Sequence, residues 1–172
     1  MADFYPAFAA ELKAVVLTQA GVDADHYFTS LQALQQNIVQ ELSLSEGGDA
    51  EALTAPYVVV EIGRLTHDHD YGLTMRAKRA PVRIWYIDQI RSRTGQDNQE
   101  YVHSKAYDIG HFIDEADPNV TSGVTTFQVI DETCEIDSSA MNDANAAFLE
   151  ANVKLIAACV SWSIGLLVGA DS

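Results

Sequence analysis

Positive charge is scarce in this chain: ten Lys and Arg stand against 25 Asp and Glu, a net charge of −15. An acidic balance this strong repels phosphate backbones and argues against a protein that reads DNA sequence. It leaves open a channel through which DNA slides without sticking. Cysteine is limited to Cys134 and Cys159, with no CxxC spacing, so both read as reduced packing residues. No apolar run has the length of a membrane-spanning helix. Leu155 to Val168 is uncharged, but it is short of the ~20 residues a span needs and contains Ser161, Ser163 and Gly165. It reads as a buried strand. The start, Met1-Ala2-Asp3-Phe4, has no basic region or small-residue cleavage site, so no signal peptide is expected. Nucleophile and nucleotide signatures are missing as well: there is no GxSxG, no GxxxxGK[ST] and no GxGxxG.

What remains is a chain of 172 residues, 48 % of them hydrophobic, which suits one domain with a real core. Phe4, Phe8, Leu12, Val15 and Val16 share one helical face, and Gly21 stands where that helix would stop. Asp23 or Asp25 is expected to cap a second helix bearing Phe28, Leu31, Leu34, Ile38 and Leu42. Residues Ser43 to Ala55, with Gly47-Gly48 and several acids, read as a long exposed loop. Pro56 then opens Tyr57-Val58-Val59-Val60-Glu61-Ile62, the clearest strand in the chain.

From 64 to 83 the chain reads as an extended hairpin, turning through the polar segment Leu65 to Gly72. Val82, Ile84 and Tyr86 alternate with Arg83, Trp85 and Ile87, and Pro81 inside that run predicts an edge position or a bulge. A polar loop from Ser92 to Gln99 precedes a helix carrying Tyr101, Lys105, Ile109, Phe112 and Ile113, which ends near Asp117-Pro118-Asn119. Two strands close the chain, Val124 to Ile136 and Val153 to Leu167, separated by a polar stretch and one helical turn at Ala146 to Glu150. The order α-α-β-β-α-β-β predicts an α+β sandwich. In it a mixed, mostly antiparallel sheet of four or five strands packs against two or three helices.

The charges have a layout. Residues 64–105 hold eight basic residues against five acids, a net +3, while both flanks are acidic. Arg76, Lys78, Arg79 and Arg83 lie along one extended arm, and Asp131, Glu132, Glu135 and Asp137 along another. A basic edge and an acidic edge on one small domain suit head-to-tail association of copies, which closes into a ring when the rotation permits. These eight residues are the candidate subunit-interface residues. The plainer reading is that they are solvated strand faces, or that they pair within one monomer.

Other polar groups carry less. His67-Asp68-His69-Asp70 could supply metal ligands, yet no third or fourth ligand is fixed by spacing, and a polar hairpin tip explains it equally. His103 and His111 could share a helix face with Tyr107, and without an HExxH spacing they read as surface or interface residues; His26 is uninformative. The paired acids Asp131-Glu132 and Glu135/Asp137 could in principle work as acid and base or hold Mg²⁺, with a solvated or interface strand as the default. Trp85 and Trp162 read as core or interface aromatics.

Taken in order, several segments resemble a known family. They are Pro56-Tyr57-Val58-Val59-Val60-Glu61, the long hairpin into Arg83-Ile84-Trp85-Tyr86-Ile87, and the helix with Tyr107-Asp108-Ile109. The closing run Lys154-Leu155-Ile156-Ala157-Ala158-Cys159-Val160-Ser161-Trp162 completes the series. The chain is similar in element order to the tail terminator (tail completion, minor tail) proteins of long-tailed bacteriophages.

That resemblance implies a structural virion protein assembled in the host cytoplasm, with no enzymatic activity, no cofactor and no membrane. Its expected partners are copies of itself in a hexameric ring, the tail tube protein beneath and the head-closure connector above. The ring would stop tube growth and let DNA pass through its lumen without sequence-specific binding. The loop Ser43 to Ala55 departs from the pattern. The alternatives are another neck, head-closure or adaptor subunit and, behind both, a small metal-dependent cytosolic enzyme built around His67 to Asp70.

Overall fold

The computed structural model describes residues 4–44, 53–71, 75–90, 95–115, 120–122 and 125–169. Helix α1 spans Phe4–Ala20 and buries Phe8, Leu12 and Val16, the stripe expected from their spacing. Gly21 ends it with φ +64°, its N–H donating to the Leu17 carbonyl at 3.0 Å, the left-handed helix stop that glycine favours. Helix α2, Leu31–Leu44, is not capped by Asp23 or Asp25. Asp23 precedes and Asp25 lies within a 3₁₀ turn, Ala24–His26, which feeds the two-residue strand β1, Tyr27–Phe28. The cap is Ser30, whose Oγ accepts from Ala33 N at 3.1 Å.

The remaining elements are β2 (Tyr57–Ile62), β3 (Thr66–Tyr71), β4 (Met75–Gln89), α3 (Gly95–Glu115), β5 (Val120–Ser122), β6 (Thr125–Ile136), α4 (Ser138–Glu150) and β7 (Leu155–Gly169). The strands form one seven-stranded sheet in the order β1-β2-β4-β7-β6-β5, with β3 paired to β4 beside β2. Only β1–β2 is parallel; every other pair is antiparallel. This is the α+β arrangement expected, enlarged by the short strands β1 and β5 and by two unanticipated elements. The segment expected to turn between 65 and 72 is strand β3, and α4 extends well beyond the turn at Ala146 to Glu150. Much of the loop Ser43 to Ala55 lies on residues 45–52, and the helix stop at Asp117-Pro118-Asn119 on 116–119; both lie outside the described residues. Helix α3 already includes Gly95 to Gln99, which the sequence assigns to a loop.

Helices cover both faces of the sheet. Tyr57, Val58, Val59 and Val60 are all buried, which a strand covered on one face cannot achieve. Leu31 and Leu34 of α2 and Ala140, Ala144 and Phe148 of α4 lie over the face that carries Trp85. On the opposite face Tyr101 of α3 meets Tyr86 edge-on, and α1 runs beside α3, from β2 across to β5 and β6. Strand β7 is central, between β4 and β6, in agreement with a buried strand. Among the described residues no helix is long and apolar enough to cross a membrane.

Pro81 does not mark an edge, because β4 is paired on both sides. It sits where β2 has ended and β3 has not begun, so its missing N–H costs no ladder bond. Its carbonyl accepts from Gly63 N at 2.7 Å. The bulges fall instead in β3, between His67 and His69, and in β6, between Val129 and Asp131.

Candidate interface surfaces

Alternation along β4 splits the basic arm. Arg76 and Lys78 fall on one face of the sheet, Arg79 and Arg83 on the other. Nor is β4 an edge, so a basic edge strand made of these four residues does not exist. On the second face Arg79 Nη1 donates to Ser163 Oγ at 3.2 Å. Arg83, half-exposed, forms an ion pair with Asp137 through Nη2···Oδ2 at 3.3 Å. One of the expected charge pairs is therefore made within the monomer.

Asp137 has two further tasks. Its Oδ1 accepts from Ala140 N at 3.0 Å, capping α4, and its Oδ2 accepts from Ser161 Oγ at 3.2 Å. Glu61 plays the matching part for α2: it accepts from Leu31 N at 3.2 Å through Oε1 and from Trp85 Nε1 at 3.2 Å through Oε2. Glu61 of β2 and Asp137, just after β6, thus hold the positive ends of two helices, and Arg83 stands opposite Glu61 in the register. Sequence reading missed both roles. The only advance signal was an Asp directly before a helix-competent stretch at 137.

Two clefts share Glu61 and Arg83. One, of about 360 Å³, lies between α2 and α4 over Trp85; the other, of about 380 Å³, lies beside Gly63, Pro81 and Ser161. Both Glu61 oxygens are already engaged by the contacts above, so this carboxylate serves as an anchor.

Across β7 the register sets the arms in rows: Arg79, Gly165 and Asp131 stand at one level, Arg83, Ser161 and Glu135 at another. Glu135 is exposed. The side chains of Asp131 and Glu132 lie outside the described residues. Beyond Thr125–Phe127, which pairs with β5, no strand lies against the outer side of β6 among the described residues. The outer side of β3 has no strand against it there either. Among the described residues, then, the sheet ends in the short strands β1 and β5, and β3 and most of β6 are open beside them on opposite sides.

The other candidates resolve as follows. Cys159 is a buried free thiol whose pKa is pushed up to about 12 by burial and by the nearby Asp137 carboxylate, as a packing residue would be. Cys134 lies opposite Trp162, a different level of the ladder. His67 is exposed at the start of β3, and the bulge after it breaks the simple i, i+2 relation to His69, whose side chain lies outside the described residues. No group of three His, Cys, Asp or Glu placed to hold a metal occurs among the described residues. His103 lies against the Met141 sulfur between α3 and α4, an internal contact, and His26 Nδ1 lies 3.1 Å from the Pro56 carbonyl. The side chain of His111 is outside the described residues.

A separate network closes the base of the 43–55 loop. Glu41 accepts from Tyr57 OH, from Thr54 Oγ1 at 2.9 Å and from Asn37 Nδ2 at 3.0 Å. It joins the last turns of α2 to the start of β2.

Comparison with protein-family models and with curated proteins finds no match.

Proposed function

We propose that this chain is a structural subunit that joins copies of itself head to tail, and that it acts as a tail terminator of a long-tailed bacteriophage. The observation that carries the reading is the pair of open strands, β3 and β6, on opposite sides of one sheet. Dissimilar open edges on opposite sides favour a heterologous contact, which leaves one free edge at each end of every intermediate and is satisfied only by ring closure. Charge is mixed at these edges: Asp131, Glu132 and Glu135 lie along β6, and β3 carries Asp68 and Asp70 with Arg64, Arg76 and Lys78 near it in the chain. The overall excess of acid suits a lumen that passes DNA without holding it.

The test is assembly and capping. Purified protein is expected to form rings by native mass spectrometry and negative-stain imaging, and to bind the ends of isolated tail tubes. Binding to filled heads in place of tubes would assign it to head closure instead. A protein that stays monomeric at high concentration and binds neither would refute the reading.

A further inference from the structure

We infer that the edge of β2 beyond Phe28 is a docking site for an extended peptide segment of another protein, which adds to the sheet as a short strand and offers a carboxylate to Lys13. The inference does not depend on ring formation. Strand β1 pairs with β2 only through Tyr27↔Val58 and Phe28↔Val59, after which Thr29 and Ser30 bend away and Ser30 caps α2. Strand β2 runs on to Ile62. Among the described residues no strand lies against its outer side past Phe28.

The ladder identifies the backbone groups left there. Gly63 N donates to Pro81 O, so odd residues of β2 point toward β4 and even residues point away from it. The parallel pairing with Phe28 uses the Val60 N–H. It leaves the Val60 C=O and both polar groups of Ile62 facing outward, an acceptor, a donor and an acceptor at strand spacing. One extended peptide satisfies all three, and its side chains then alternate between the two faces of the sheet. Three groups in this order call for a peptide backbone more than for a small apolar ligand.

The same edge opens into a cleft of about 480 Å³ between α1 and β2. Val60, Ile62, Phe28, Ala9 and Tyr5 line it, so the peptide side chain that enters is apolar. Lys13 lines it too, its Nζ 5.1 Å from the centre of the Tyr27 ring. It is the only Lys or Arg in residues 1–63, and among the described residues it pairs with no carboxylate. A carboxylate on the cleft side of the peptide would pair with this ammonium. The net charge of −15 opposes a strongly acidic partner at long range, so a segment with one acid among apolar and hydroxyl residues suits the site.

The probe is a fluorescein-labelled peptide, Thr-Val-Thr-Glu-Thr-Val-Thr, which sets Val, Glu and Val on one side of an extended chain. It is expected to bind saturably by fluorescence polarisation and to protect the Ile62 amide from hydrogen exchange. Strand addition uses one edge of the peptide, so of two versions N-methylated at alternate residues one should bind and the other should not. Ile62→Pro removes only an outward N–H and spares the ladder to β4, with folding checked by circular dichroism. It should weaken binding about tenfold. Lys13→Glu should lower affinity for this peptide and raise it for one with Lys in place of Glu. Equal binding of both N-methylated versions, undiminished binding by folded Ile62→Pro, or no binding at millimolar peptide overturns the docking site. Protection of the Ile62 amide without peptide, rising with protein concentration, would assign the edge to a second copy and overturn it as well.

Discussion

Asn145 should be worth more to this fold than any other polar side chain of α4. Strand β6 leaves the sheet at Ile136, opposite Val160, so the first part of β7 loses its neighbour on that side. Helix α4 stands in its place, and Asn145 does the work of a strand. Its Oδ1 accepts from Ala157 N at 2.8 Å and its Nδ2 donates to Ala157 O at 3.2 Å. Ala157 is fully buried, so both groups depend on that one amide. Asn145→Leu keeps the branching and heavy-atom count, excludes water and strands a donor and an acceptor. At ~1–3 kcal/mol for each buried group left unpaired, the cost for the two is about 2–6 kcal/mol. Asn145→Ala opens room for a water that can serve both groups and should cost less, about 1–2 kcal/mol. The order is opposite to what apolar packing alone would give. Urea unfolding of both variants, with m unchanged, measures it. A Leu variant as stable as wild type, or more stable than the Ala variant, would refute the clamp.

Gly63→Ala should destabilise the fold by about 1–3 kcal/mol in thermal or urea unfolding, the usual range for overpacking. A Cβ there would meet the rigid Pro81 ring at 2.7 Å, and the Gly63–Pro81 hydrogen bond holds the two strands together. Burial tends to raise the Glu41 pKa, but hydrogen bonds from Tyr57, Thr54 and Asn37 outweigh it and hold the carboxyl below its usual range. Its stabilisation is then present above the unfolded carboxylate pKa of about 4.3 and is lost as pH falls through the lower folded value. Tyr57 is pushed up to about 12 by burial and by Glu41. Its contribution is complete below about 10 and lost as pH rises toward 12. Tyr57→Phe should flatten both limbs of a stability-against-pH curve. Cys159, with its pKa near 12 and no exposure, should resist iodoacetamide at pH 8 in the native protein and be alkylated at once in denaturant, read by peptide mass.

The elements legible in the sequence were those whose state is decided locally. The Phe8-Leu12-Val16 stripe with Gly21 behind it, the Tyr57 to Val60 run and the uncharged β7 each announce themselves by period or composition. Strand β3 does not, because Thr66-His67-Asp68-His69-Asp70-Tyr71 has no apolar alternation; pairing with β4 makes it a strand. Helix α4 is rich in Ser, Asn and Asp, weak helix formers, and is held by Asp137 at its start and Asn145 at its middle. The second helix was capped from the wrong residue for a related reason. Asp23 and Asp25 are good caps in isolation, but β1 pairs with β2 and takes the chain past them. The eight interface candidates were identifiable as charges, yet not by role. Their positions depend on which residues of β4 and β6 share a face, on β7 standing between them, and on Asp137 lying where a helix begins.

That last point decides which charges remain available between copies. Arg83 and Asp137 are bound to each other, and Asp137 also caps α4 and accepts from Ser161, so Asp137 cannot turn to a neighbour without exposing a helix end. Arg79 is engaged by Ser163 on the same face. Glu135 is exposed on β6. Attraction between copies would therefore come from the two outer strands and their immediate surroundings, and the interior charges would fix the monomer. The division has a physical consequence. Salt screens exposed charges far more than partly buried ones, so rising ionic strength should separate copies well before it loosens α2 or α4 from the sheet.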